Sequence, residues 1–207
     1  MYVVYLRVAL LLVGLMAVPS VAAGITGVSP QEGTVGTQVA VSGSGFGAKM
    51  GTVAVGEERC KVLSWSDTRI VCSIAKPMPA GEYAVTVQGQ GSKKKSEPMT
   101  FSPFTIREPE IMPGTLARDG TTVTIAGAFF GDRKGEVVIA YRDNGVVVDK
   151  AKVVGWSMDA VRIRLPAGLA GKYIVKVQNK IGTDFALLDL GDGPPQMAGM
   201  AWLSGYG

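Results

Sequence analysis

Apolar and polar positions alternate along this chain in short runs. Val39 and Val41, Val53 and Val55, and Tyr83, Val85 and Val87 are each separated by one residue of smaller or more polar type. A period of two sends successive side chains to opposite faces of an extended strand, so one face is apolar and the other wet. The pattern returns at Val123 and Ile125, at Val137 and Ile139, and at Tyr173, Val175 and Val177. Glycine and proline punctuate the runs, 28 and 11 of them in 207 residues. About seven strands fit each half of the chain, which predicts an all-β protein built as two-sheet sandwiches.

The halves repeat each other. Gly36-Thr37-Gln38-Val39-Ala40-Val41-Ser42-Gly43, followed by Gly45-Phe46-Gly47, matches Gly120-Thr121-Thr122-Val123-Thr124-Ile125-Ala126-Gly127, followed by Phe129-Phe130-Gly131. Lys61 to Ser66 matches Lys152 to Ser157, and Ala80-Gly81-Glu82-Tyr83 matches Ala170-Gly171-Lys172-Tyr173. Between these anchors the second copy gains seven residues around Asn144-Gly145. Asn-Gly between β-branched runs is a type I′ hairpin signal, so a longer hairpin is expected there. Phe104 to Pro109 joins the copies without a flexible Gly/Ser run, which predicts restricted bending between them.

The first 23 residues read differently. Arg7 is the only charge, an apolar run from Val8 to Val18 follows, and Val21-Ala22-Ala23 closes the segment with small residues. This is the layout of a secretory signal peptide cut after Ala23; the rival reading is an uncleaved membrane anchor, for which the apolar run is short and interrupted by Pro19. The expected location is therefore exported: periplasmic, cell-surface or secreted, with no transmembrane span in the mature chain. Export places Cys60 and Cys72 where disulfides persist, and their even count fits one bridge. The net charge of +4 is spread thinly, which favours solubility over nucleic-acid binding. No histidine is present. Catalytic triads, Cys-His pairs and His-ligated metal sites are thereby excluded.

The repeated pattern resembles the IPT/TIG family of immunoglobulin-like domains shared by plexins and certain transcription factors. The residues that carry it are Pro30, Gly36-Thr37, Gly43, Phe46-Gly47, Trp65-Ser66-Asp67-Thr68, Ile70 and Ala80-Gly81-Glu82-Tyr83. The second set is Pro113, Gly120-Thr121, Gly127, Phe130-Gly131, Trp156-Ser157, Val161 and Ala170-Gly171-Lys172-Tyr173. The second copy departs at Met158-Asp159-Ala160 and has one extra residue between Pro113 and Gly120. The resemblance implies two tandem immunoglobulin-like sandwiches, at 24–106 and 107–190, before a tail at 191–207. It also implies a bridge between Cys60 and Cys72, where the second copy has Ala151 and Ile163. The family supplies interaction, spacing and adhesion modules, so the implied role is binding and not catalysis.

Candidate contacts follow from exposed-residue chemistry. Trp65 and Trp156 could stack on a sugar or a partner, or could cover a sandwich edge. Lys93, Lys94 and Lys95 form a basic tip that could meet an anionic surface or simply stay solvated. Asp189-Leu190-Gly191-Asp192-Gly193 lacks the ligand spacing of a calcium loop. The glycine-rich Ser42 to Gly47 lacks a following helix, and Glu57-Glu58 has no evident partner carboxylate. Residues 193 to 207 are uncharged and carry Met197, Met200, Trp202, Leu203 and Tyr206, a composition suited to docking. The expected function is a non-catalytic secreted or cell-surface interaction and adhesion module with a protein or cell-envelope partner. The alternatives are a carbohydrate-binding module and a structural subunit of an extracellular assembly. No cofactor and no nucleic acid is expected, and self-association is left open.

Overall fold

Strand alternation becomes two pairs of facing sheets in the computed structural model, which describes residues 23–90 and 98–191. In the first half, β1 (Gly24–Ser29), β3 (Gln38–Ser44), β7 (Arg69–Ser73) and β6 (Lys61–Trp65) lie side by side in that order. The facing sheet runs β2 (Glu32–Gly33), β9 (Met99–Ile106), β8 (Gly81–Gln88), β4 (Thr52–Val55) and β5 (Glu58–Arg59). The chain crosses between the sheets at Pro30, which has no N–H to leave unpaired. There β2 pairs with β9 in parallel, while the other pairings are antiparallel. Val39, Val41, Val53, Val55, Ile70, Val85, Val87 and Phe104 close the core between the sheets.

The second half repeats the plan with β10 (Glu110–Asp119), β11 (Thr122–Ala128), β15 (Ala160–Arg164) and β14 (Lys152–Trp156) in one sheet. The other holds β13 (Val147–Lys150), β12 (Glu136–Tyr141), β16 (Lys172–Gln178) and β17 (Thr183–Asp189). Its core is closed by Val123, Ile125, Phe130, Val137, Ile139, Val161, Ile163, Tyr173, Val175 and Val177. Among the described residues nine strands and then eight form, more than the seven that alternation predicts: in the first half the two-residue β2 and β5 are too short to show a period, and in the second the longer hairpin adds β13. The longer hairpin is present, but its turn is not type I′. Tyr141 N–H donates to Val146 O (2.9 Å) and Gly145 N–H donates to Tyr141 O (2.9 Å), which encloses four residues in the loop. Only Gly145 of that loop has positive φ, and Asn144 instead accepts the Val146 N–H (2.9 Å) through its side chain. A type I′ turn requires positive φ at both central residues.

The linker has no slack. Arg107 N–H donates to Gly33 O (2.9 Å), and its guanidinium reaches Glu32 and Glu110 (3.2 Å each) beneath the ring of Phe129 (5.4 Å). From the second half, Asp132 N–H donates to Val35 O (3.2 Å), Arg133 donates to Ala75 O (3.1 Å), and Ile181 packs against the first core. Exposed ion pairs contribute little individually, so the backbone bonds and Ile181 carry more of this junction than the Arg107 carboxylate contacts.

One close approach recurs in both halves. A Cβ on Gly43 would overlap the Gly24 carbonyl and stand 2.6 Å from the Phe46 ring. A Cβ on Gly127 would overlap the Glu110 carbonyl and stand 2.5 Å from the Phe130 ring. Both obstacles are backbone or fully buried ring, so neither yields cheaply. Gly127→Ala is therefore expected to lower unfolding free energy by about 1–3 kcal/mol in urea titration. Gly27→Ala, whose Cβ meets nothing within 4 Å, is the matched control and is expected to stay within about 0.5 kcal/mol.

Candidate functional site

The two tryptophans occupy equivalent, half-buried places. Trp65 Nε1–H donates to Gly47 O (2.8 Å), and its ring meets Phe46 edge-on with centroids 6.3 Å apart. Trp156 Nε1–H donates to Gly131 O (3.0 Å), and its ring meets Phe130 at 6.1 Å. Each indole thus latches a Gly-Phe-Gly or Phe-Phe-Gly loop to the strand at the sheet edge. The neighbouring serines do similar local work. Ser66 Oγ accepts the Arg69 N–H (3.0 Å) and Ser157 Oγ accepts the Ala160 N–H (3.0 Å), closing the turn after each tryptophan. This geometry commits the indole N–H groups to the fold.

Cys60 and Cys72 face each other in the first core, Cys72 buried and Cys60 partly exposed. Their thiols share a hydrogen bond. It draws the Cys60 thiol below its ordinary pKa, helped by a backbone bond at Val55 and opposed by burial. The same bond, with burial, holds Cys72 protonated. Cys60, the partly exposed member of the pair, is the thiol that an external disulfide can reach first, with Cys72 beside it to close a bridge. Ala151 and Ile163 stand in the matching core positions of the second half, and Ala151 repeats the Cys60 backbone bond, donating to Val137 O (2.9 Å) as Cys60 donates to Val53 O (2.9 Å).

The other candidates separate. Asp189 accepts the Gly191 N–H (2.9 Å), and Glu58 pairs with Lys76 (2.9 Å). Gly47 N–H donates to the Asp67 carboxylate (2.8 Å), so the glycine-rich stretch is a turn pinned from the tryptophan segment. Lys93, Lys94, Lys95, Trp202 and Tyr206 lie outside the described residues, as do residues 1–22. Where the halves meet, a cleft of about 390 Å³ is lined by Thr34, Val35 and Pro77 on one side and Phe130, Arg133 and Lys180 on the other. Its wall includes Asn179, whose amide is spent on the Phe129 and Phe130 carbonyls (3.2 Å each) and on the Ile181 N–H (2.8 Å). The cleft is a seam of the junction.

A surface that alternation does not predict lies on the outward side of the sheet formed by β13, β12, β16 and β17. With Tyr173, Val175, Val177 and Leu188 turned into the core, Ile174, Phe185 and Leu187 face outward. Cross-strand register then lines up Leu187, Ile174, Ala140 and Val147 in one apolar row across all four strands. Phe185 is 69% exposed, Val147 57% and Leu187 50%. The next row reads Phe185, Lys176, Val138 and Lys150, and Lys172 sits opposite Asp189. The first half presents Ala54, Ala84 and Thr86 where the second presents Val138, Ile174 and Lys176. The signal was available in sequence as a failure of alternation: Tyr173-Ile174-Val175 and Phe185-Ala186-Leu187-Leu188 are apolar on both faces. Among the described residues no trio of acidic or thiol side chains gathers as a metal site, and no helix is long and apolar enough to cross a membrane.

Residues 23–103 match the family model described as IPT/TIG domain. A cyclomaltodextrin glucanotransferase of Geobacillus stearothermophilus is 37% identical over 78 residues, 38% of this chain and 11% of that enzyme. The matched segment thus spans about a tenth of the curated relative. Among solved structures, the extracellular region of plexin A4 aligns at TM-score 0.39 and 18% identity, covering 82% of this chain and 18% of that one. A Bacteroides ovatus protein of a mixed-linkage glucan utilization locus, solved with a heptasaccharide, aligns at TM-score 0.39 and 13% identity, covering 78% and 43%.

The facing thiols generate a test. Oxidation of the purified protein with glutathione disulfide is expected to consume both thiols and form an intramolecular bridge. Relative to the Cys60→Ser protein, oxidised protein should gain about 2–3 kcal/mol in urea titration, lost on reduction. Equal midpoints for the oxidised and reduced protein would overturn the staple.

Proposed function

We propose, from an IPT/TIG domain at residues 23–103 and the sandwich that follows it, that this chain is an exported, non-catalytic protein-interaction module. Its contact surface is the outward face of the β13-β12-β16-β17 sheet. The observation that carries this reading is the apolar row Leu187, Ile174, Ala140 and Val147, exposed on either side of the buried Ala140, with Phe185 beside it. Full burial of a Leu or Phe side chain contributes roughly 1.5–3 kcal/mol, so a partner covering this row gains substantially without distorting the sandwich. Contiguous exposed apolar area rimmed by charge is the usual mark of a protein contact, and here Lys150, Lys172 and Lys176 supply the rim. The first sandwich, joined through Arg107, Asp132 and Ile181, then acts as a stiff spacer that sets where this face is presented.

A second reading, carbohydrate binding, is favoured by the sequence likeness to a glucanotransferase. Its contact would use the half-buried tryptophans, Trp65 in the first sandwich and Trp156 in the second. It expects retention on immobilised amylose that Trp65→Ala abolishes with an unchanged circular dichroism spectrum. Absence of retention removes it.

The interaction reading is tested by placing the photo-crosslinking residue p-benzoylphenylalanine at position 185 in the full chain and illuminating intact cells that export it. Covalent protein adducts are expected at 185, about tenfold above those from the matched, exposed outward position Thr100 in the first half. Equal yields from the two positions would sink the assignment of the face.

A further inference from the structure

The outward apolar row has a neighbour in sequence. β17 contributes Phe185 and Leu187 to the face and ends at Asp189, one pleat beyond the row. The chain stays fixed for two residues more: Leu190 N–H donates to Gly171 O (2.9 Å), and Gly171 N–H donates to Gly191 O (2.9 Å). It leaves the described sandwich at Gly191, beside the strand end that carries the row. Gly193, Pro194 and Pro195 follow, and then Met197, Met200, Trp202, Leu203 and Tyr206.

We infer that residues 197–206 of the same chain are the resident occupant of this face, held against Leu187, Ile174, Val147 and Phe185 until a partner displaces them. This rests on the interaction reading of the face and adds its regulation. Reach allows it. Three inter-strand gaps of about 4.8 Å make the sheet about 14 Å wide. Six extended residues from Gly191 to Met197 span about 20 Å. Charge favours it over a second copy of the face. Outward-pointing Lys172 and Lys176 on β16 and Lys150 on β13 would oppose their own counterparts in a face-to-face pair, although Lys172 and Lys150 keep partial partners in Asp189 and Glu136. Residues 193–207 bring no charge to the row. Side-chain type favours it as well. Methionine adapts to an uneven apolar surface, and Trp202 and Tyr206 carry large apolar area with a polar tip for the rim. The tether raises the local concentration of this segment far above that of any free competitor, so an outside partner competes against a resident ligand.

The test uses the full chain with p-benzoylphenylalanine at 185, purified and illuminated at high dilution, with peptide mapping by mass spectrometry. Crosslinks from 185 to residues 197–206 within one molecule are expected, about tenfold above those from position 100. The double substitution Trp202→Ser and Leu203→Ser is expected to cut them about fivefold and to raise partner adducts in intact cells by a similar factor. Crosslinks that join isotopically light and heavy copies would make the occupant another molecule and overturn the inference. An absence of tail crosslinks alongside adducts in cells overturns it while leaving the interaction reading standing. Tail crosslinks with no adducts in cells, from either the parent or the double variant, support the occupant and overturn the interaction reading.

Discussion

Each half of this molecule is organised around a space that no side chain can enter. At Gly43 and Gly127 the edge-strand carbonyl and a buried phenylalanine ring converge where a Cβ would stand. That convergence lets β1 lie close on β3, and β10 on β11, while Phe46 and Phe130 seal the end of the core. The phenylalanine then presents its neighbour with a ring for the tryptophan, and the indole N–H returns to the adjacent glycine carbonyl. Glycine, phenylalanine, glycine and tryptophan thus form one closed loop of dependence. This accounts for their recurrence together at both ends of the repeat.

With that common frame fixed, the halves spend their freedom differently. The first places two thiols in its core and keeps its outward sheet small and polar through Ala54, Ala84 and Thr86. The second fills the thiol positions with Ala151 and Ile163 and holds them by packing. Its outward sheet carries Val138, Ile174, Phe185 and Leu187, residues that add nothing to its own core. Cross-strand pairs such as Ile174 with Leu187 support the sheet but leave most of the Phe185 and Leu187 side chains in water, which is why their alignment points outward to another surface.

Much of the fold was legible in the sequence because strand alternation and turn glycines are local signals. The repeat located the sheets, and the Gly-Phe-Gly and Trp-Ser segments located the latch. The reading of the tryptophans as edge covers agrees with where their N–H groups go. What local signals missed has physical reasons. The Asn144-Gly145 loop depends on how β12 and β13 meet across a bulge, which a dipeptide does not encode. The junction depends on Asp132, Arg133 and Ile181, whose partners lie more than fifty residues away in sequence. The outward row depends on register between four strands, so none of its members is conspicuous alone. The lysine tip and the tail fall outside the described residues, and their part in binding stands as a proposal.

The parallel pairing of β2 with β9 has a mechanical consequence. Thr105 N–H donates to Gln31 O and Arg107 N–H to Gly33 O (2.9 Å each), which joins the entering and leaving segments of the first sandwich side by side. Tension drawn through the chain pulls those segments in opposite directions, so these bonds are sheared together. In the second sandwich, β10 pairs antiparallel with β11 at Glu110 and Ile111 and again from Leu116 to Asp119, and is tied to β17 through the Asp184 carboxylate on the Ile111 N–H (2.6 Å). Its entering strand can peel from β11 one bond at a time. The two sandwiches therefore meet tension through different bonds, and the apolar face belongs to the one whose entering strand lacks the parallel pairing.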